Sequence, residues 1–283
     1  MNLADINEIT KILENNGFSF KKSLGQNFLI DETVCPRMAE SCLDKNSGVI
    51  EIGPGAGVLT RELCKTAKRV VSIELDNRLA PVLKTTVGEF DNIKIIFGDA
   101  MKLDLKKIIE EEFKDCGRVC VCANLPYYIT SPIIMGLLES KLPIDCITVM
   151  VQKEAADRLC AKVGSRDAGA VTVAVNYFSI AEKLFDVGRQ SFLPSPKVDS
   201  AVISLKIRNV PPITVKNEKN FFLLTKACFA QRRKTLLNTV SNTLGIDKNH
   251  IRECLENLNI SETIRGEALT MEQLGKLSDI IFE

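Results

Sequence analysis

From residue 49 onward, short apolar runs alternate with amphipathic stretches. The runs cover residues 49–52, 69–73, 93–97, 119–123 and 147–151; residues 58–67, 78–87, 105–113, 131–139 and 153–160 between them carry helical spacing. Connections this long cannot be hairpins, so the alternation predicts βαβ units and a parallel sheet. Residues 169–178 are ambiguous: Val171, Val173 and Val175 favour a strand, while the length also allows a buried helix. Residues 200–207 read as a last strand. The paired prolines of Asn209-Val-Pro-Pro-Ile213 then end regular structure. Beyond them, residues 221–239, 248–258 and 270–281 return to helical spacing. The expectation is an α/β domain over residues 1–208 and a small helical domain over residues 213–283.

Composition narrows the chemistry. The chain has 283 residues, 45% hydrophobic and 26% charged, which is ordinary for a globular protein with a real core. A formal net charge of +1 argues against a uniformly basic nucleic-acid binder, although charge can be segregated along a chain. The single histidine, His250, makes a Ser-His-Asp hydrolase or a His-rich metal centre a poor reading. The ten cysteines form no CxxC pair, and Cys116, Cys120 and Cys122 fall in or beside an apolar run, so they read as buried, reduced thiols with no metal. No signal peptide is evident, and no apolar run approaches the roughly 18 residues of a membrane span. A cytoplasmic protein without membrane contact is expected.

The first apolar run leads straight into Glu51-Ile-Gly-Pro-Gly-Ala-Gly57. Glycines there allow a tight turn and a close approach to a ligand before the next helix. The spacing is G-x-G-x-G, with Val58 where a dinucleotide motif has its last glycine, and Pro54 removes an amide donor. Glu74 ends the second run, where a carboxylate can accept from both hydroxyls of a ribose. Asp99 ends the third, where it could accept from an adenine amino group. Either acid alone reads better as a helix cap than as a ligand group. In this order, with the glycine turn, they favour an adenosine-containing ligand at the carboxyl ends of the strands.

The fourth run ends in Asn124-Leu-Pro-Tyr127, followed by Tyr128. An amine conjugated to a heteroaromatic ring is a poor nucleophile, because its lone pair is delocalised. A site that methylates it can accept hydrogen bonds from both N–H groups and favour the pyramidal nitrogen. The side-chain oxygen of Asn124 and the backbone carbonyl of Leu125 suit that task, and Pro126 stiffens the turn. The Tyr127 ring can stack on the base, a contact of about 1–3 kcal/mol. No general base is needed before attack, which fits the scarcity of histidine.

Together with Lys22-Ser-Leu-Gly-Gln-Asn-Phe-Leu29, Gly98-Asp99-Ala100 and Phe192-Leu-Pro-Ser-Pro-Lys-Val-Asp-Ser200, these motifs occur in one family's order. The sequence resembles the bacterial small-subunit (16S) ribosomal RNA adenine dimethyltransferases, the kasugamycin-resistance family, over nearly its whole length. The resemblance implies a class I S-adenosylmethionine-dependent methyltransferase fold: a Rossmann-like α/β domain with a seven-stranded, mostly parallel sheet whose last strand is antiparallel, and an all-helical C-terminal domain. It implies S-adenosyl-L-methionine as methyl donor, without a metal. It also implies N6,N6-dimethylation of two adjacent adenosines in the 3′-terminal hairpin loop of 16S rRNA, in the 30S subunit or its precursor, by a monomer. Carried across, Asn27 and Leu29 form an N-terminal lid, Gly53 and Gly55 approach the methionine part of the cofactor, Glu74 holds the ribose and Asp99 meets the adenine. Asn124 borders both cofactor and target amine, and Phe192 stacks on the target base opposite Tyr127.

Charge is indeed segregated. Residues 181–240 contain eleven Lys and Arg against four Asp and Glu. Within them Arg232, Arg233 and Lys234, expected on a helix, read as phosphate contacts. Two alternatives stand beside the small-subunit reading. One is a 23S rRNA adenine methyltransferase of the macrolide-resistance type, which shares the cofactor motifs. The other is a non-catalytic assembly factor on the same fold. The Pro-Lys-Val-Asp-Ser200 form and the basic tetrad favour the small-subunit family over the first; intact Gly53, Glu74, Asp99 and Asn124 argue against the second.

Overall fold

The computed structural model describes residues 3–18 and 27–283. Its strands in chain order are β1 (Phe28–Leu29), β2 (Ser47–Ile52), β3 (Arg69–Glu74), β4 (Ile93–Phe97), β5 (Arg118–Asn124), β6 (Cys146–Gln152), β7 (Ser179–Val187), β8 (Phe192–Leu193) and β9 (Ser200–Ile207). Among the described residues, seven of them form one sheet in the order β4-β3-β2-β5-β6-β9-β7. β2 to β6 are parallel, whereas β9 runs antiparallel to β6. The five apolar runs thus became strands within a residue or two of their expected ends. β2 is buried at every position, as a central strand covered on both faces must be. The helices Val34–Cys42 and Val58–Thr66 bury Met38, Ala39 and Leu63 with Val49 and Val70 of the sheet.

One element settles a reading left open, and two depart from the sequence reading. Residues 169–178 are resolved as a helix, Ala170–Phe178. β7 has no apolar run to announce it, because it carries exposed Glu182, Lys183 and Asp186 where an edge strand resists pairing with other chains. The helix expected over residues 221–239 is two helices, Glu218–Cys228 and Leu236–Leu244. Gln231, Arg232, Arg233 and Lys234 lie in the turn between them, not on a helix. Thr235 caps the second helix, and Leu236 N–H donates to Ile264 O at 2.8 Å, so the backbone has partners for leaving the helix there. Apolar spacing ran on through the turn, which concealed the break.

The chain forms two compact units, residues 1–156 with 182–207 and residues 157–181 with 208–283. This division differs from the expected boundary at the prolines in grouping residues 157–181 with residues 208–283. Val173 and Tyr177 from the helix Ala170–Phe178 pack with Phe221, Leu224 and Leu236 in the core of the second unit. Arg208 seals this return by donating from Nε to the carbonyls of Asn176 and Ser179 at 3.2 and 3.0 Å.

Candidate active site

The turn after β2 has positive φ at Gly53 (74°), Gly55 (57°) and Gly57 (88°), a run that residues with a Cβ would resist. Gly57 is also crowded, since a Cβ there would come within 2.8 Å of Thr86 Oγ1 and 2.9 Å of Val87 Cγ1. At Gly53 a Cβ would meet nothing within 4 Å, so that side of the turn faces open space. The turn borders a cavity of about 310 Å³ at the carboxyl edge of the sheet. Asn27, Leu29, Gly53, Gly55, Glu74, Asp99, Asn124, Leu125, Tyr127 and Phe192 all line it. The fold thus brings the expected cofactor and catalytic positions together, and leaves Arg232, Arg233 and Lys234 in the other unit.

Glu74 is 6% exposed, and burial raises its pKa. Its Oε2 accepts from Gly55 N–H at 3.1 Å and its Oε1 from Asp76 N–H at 2.8 Å, so the carboxylate braces the glycine turn and keeps acceptor capacity for a ligand. Asp99 Oδ1 accepts from Met101 N–H at 3.0 Å, closing a local turn, while Asp104 caps the helix that follows; its Oδ2 lies 3.5 Å from Lys102 Nζ.

Asn124, the last residue of β5, donates from Nδ2 to the carbonyl of Asn27 at 3.4 Å. That bond turns the amide nitrogen toward Asn27 and leaves the amide oxygen as the side chain's acceptor. The Pro126 carbonyl is used by the turn itself, accepting from Ile129 N–H (3.1 Å) and Thr130 Oγ1 (3.3 Å). The Tyr127 hydroxyl bonds Ser200 Oγ at 2.8 Å, and burial raises its pKa. Phe192 is only 3% exposed, packed with Leu29, Met150 and Val202, so in this state it forms a wall while half-buried Tyr127 offers the wider face.

Residues 22–26 of the N-terminal motif lie outside the described residues. Its remainder, β1, pairs antiparallel with β8, Phe28 opposite Leu193 and Leu29 opposite Phe192. Asp31 Oδ2 accepts from Ser191 Oγ at 2.9 Å beside that pair. Two motifs more than 160 positions apart are therefore one structural feature. Sequence reasoning missed Leu75 (55% exposed) and Met101 (52%), which line the cavity beside Glu74 and Asp99 and offer apolar faces to a flat ring. Exposure was the distinguishing property, and a Leu or Met in a sequence does not declare it. All ten cysteines are free thiols, eight of them buried, and His250 bonds the Ile281 carbonyl at 3.1 Å.

Beneath the turn, Glu51 is fully buried. Its Oε2 accepts from Ser72 Oγ at 2.6 Å, while its Oε1 has no hydrogen-bond partner among the described residues. Burial raises its pKa to about 7 against the opposing pull of the Ser72 hydroxyl. The folded protein then holds a proton that the unfolded chain releases from about pH 4.5, so stability falls with rising pH up to about 7. A shift of this size corresponds to about 3 kcal/mol. Urea unfolding from pH 4.5 to 8 should show Glu51→Gln losing less stability than wild type across that interval; parallel curves would refute the assignment.

The strand order, the reversed β9 and the ligand-facing features at the carboxyl edge define a class I methyltransferase. The profile of the ribosomal RNA adenine dimethylase family matches residues 17–280. The chain is 47% identical over 275 residues to the ribosomal RNA small subunit methyltransferase A of Bacillus pumilus (strain SAFR-032), covering 96% of this chain and 94% of that one. Its counterpart from Geobacillus thermodenitrificans (strain NG80-2) is 48% identical at the same coverage. Among solved structures, a dimethyladenosine transferase from Plasmodium falciparum superposes with a TM-score of 0.72 at 29% identity, covering 88% of this chain and 95% of that one. The 23S rRNA methyltransferase ErmE gives 0.66 at 25%, covering 90% and 100%. This chain belongs to the ribosomal RNA adenine dimethylase family. None of its helices, among the described residues, is long and apolar enough to cross a membrane.

Proposed function

We propose that the protein dimethylates N6 of two adjacent adenosines in the 3′-terminal hairpin loop of 16S rRNA, in the 30S subunit or its precursor, as a cytoplasmic monomer. The observation that carries this is the convergence of Asn124, Leu125 and Tyr127 on the cavity bordered by the glycine turn and Glu74. The residues fit S-adenosylmethionine: an open cradle at Gly53, a carboxylate for the ribose, and Leu75 and Met101 for the adenine faces. When bound, that cofactor supplies an electrophilic methyl group on a sulfonium. The protein's share is positioning. Asn124 Oδ1 and the Leu125 carbonyl accept from the two N–H groups of the target amine, Tyr127 stacks on its ring, and the apolar lining excludes water. Each transfer leaves the nitrogen cationic, and it returns to neutrality by losing a proton to water; a second transfer requires one acceptor to release its N–H and make room for a methyl.

The small-subunit target follows the named relatives at 47–48% identity, against 25% for the 23S enzyme. Labelled cofactor offered to under-methylated 30S subunits and to 23S rRNA decides between them. Label should enter 30S as dimethyladenosine; label in 23S rRNA alone would overturn the assignment, and label in neither would favour a non-catalytic factor.

For RNA binding, the turn divides its cations. Arg232 donates to the carbonyls of Arg166 and Ala168 at 3.1 and 3.4 Å, which makes it a tether within its own unit. All three cations are exposed, and Arg233 and Lys234 can be replaced without cutting that backbone tie. Replacing both with Ala should weaken rRNA binding and reduce the slope of log affinity against log salt by about 1.5, some 0.7–0.9 per phosphate contact. An unchanged slope would remove them from the interface.

A further inference from the structure

The reversed strand β9 has a consequence for the active site. In a sheet of parallel strands, ligand-facing groups come from carboxyl ends, whereas the first residue of an added parallel strand lies at the opposite edge. Because β9 is antiparallel to β6, its first residue, Ser200, stands opposite Gln152, the last residue of β6. On the other side of β6, Asn124 at the end of β5 stands opposite Met150. Tyr127, three residues past Asn124, reaches over the end of β6 and meets Ser200 Oγ with its phenol oxygen at 2.8 Å.

Ser200 is well placed to be an anchor. It is fully buried, and the residue before it is fixed twice: Asp199 O accepts from Lys153 N–H, and Asp199 Oδ1 from Arg189 N–H, each at 3.0 Å. Tyr127 is fixed at its other end by Pro126, whose φ of −56° is set by its ring. The phenol oxygen lies on the axis of the Cβ–Cγ bond, so holding it determines χ1 and hence the ring's long axis. A face on which a base must stack needs that axis defined, and a half-buried ring at a cavity mouth would otherwise sample other rotamers.

We propose that Ser200 is a positioning residue for methyl transfer: its hydroxyl pins the phenol end of Tyr127 and so holds the ring where the target adenine stacks. This rests on reading Tyr127 as the stacking face. It gives the final serine of the Pro-Lys-Val-Asp-Ser200 motif a task in the site and joins that motif to Asn124-Leu-Pro-Tyr127, 73 positions away. Loss of the hydroxyl leaves the ring and the cofactor cavity in place, so the penalty falls on orientation.

The test is a double-mutant cycle on the full chain with Ser200→Ala, Tyr127→Phe and the pair. Each single change should lower kcat on under-methylated 30S subunits about 10-fold, with KM for RNA changed less than about 2-fold, as expected for misorientation at the reacting centre. The double variant should be no worse than the poorer single one, since both remove the same contact. Wild-type kcat in Ser200→Ala, or losses that multiply in the pair, would overturn the proposal. The same four proteins in urea report the tether without any turnover. Non-additive midpoint shifts support it, and additive shifts refute it even where the RNA target itself was misassigned.

Discussion

Asn124→Ala should reduce methyl transfer by about 10²–10³-fold while RNA binding stays within about 2-fold of wild type. The magnitude is that of removing one preorganised polar group from a reacting centre, where orientation and charge stabilisation both depend on it. The selectivity follows from where affinity originates: phosphate contacts dominate RNA binding, and Asn124 is a half-buried residue at the rim of the cavity. The substitution also removes the Nδ2 bond to Asn27 O, but at 3.4 Å that bond is long and its loss is a small part of the effect. Single-turnover methylation and filter binding on the same RNA separate the two quantities. Equal loss in both would mean that Asn124 holds the fold or the lid and does not orient the amine.

Glu74→Ala should weaken S-adenosylmethionine binding about 100-fold. Two hydrogen bonds from ribose hydroxyls to a charged acceptor, at about 1.5 kcal/mol each, give about 3 kcal/mol. The carboxylate also braces the glycine turn through Gly55 N–H, so a structural explanation must be separated from a direct one. Calorimetry with a cofactor analogue lacking both ribose hydroxyls does this. The analogue should bind wild type about 100-fold more weakly than the cofactor, and bind Glu74→Ala no more weakly than the cofactor does. If the two losses multiply, Glu74 acts only through the turn. Protonation of Glu74, whose pKa burial raises, should weaken binding as pH falls.

Much of the catalytic unit was legible along the chain, for a physical reason. Strands buried on both faces must be apolar throughout, as β2 is, and helices packed on them must be amphipathic, so β2 to β6 and their connections announced themselves. The glycines were readable because positive φ at Gly53, Gly55 and Gly57 is a local demand of the backbone. The strand-end acids and Asn124 were readable because a parallel sheet gathers the ends of its strands at one edge. Their convergence on one cavity follows from the same rule.

What local pattern could not supply was everything that depends on a partner distant in sequence. The break at Gln231 was hidden because apolar spacing continues through a turn once Ile264 accepts from Leu236. Residues 157–181 joined the helical unit because Tyr177 found Phe221 and Phe222, with ring centroids 5.2 Å away in each case. That Arg232 also donates to the carbonyls of Arg166 and Ala168 became visible only in the folded chain. The sequence by itself determined strands β2 to β6 and β9, the glycine turn and the candidate chemistry, because these are demands each segment makes on its own backbone and surroundings. Only the tertiary structure decided which motifs touch, β1 on β8 and Tyr127 on Ser200, because a hydrogen bond between residues tens of positions apart exists only once the chain between them has folded.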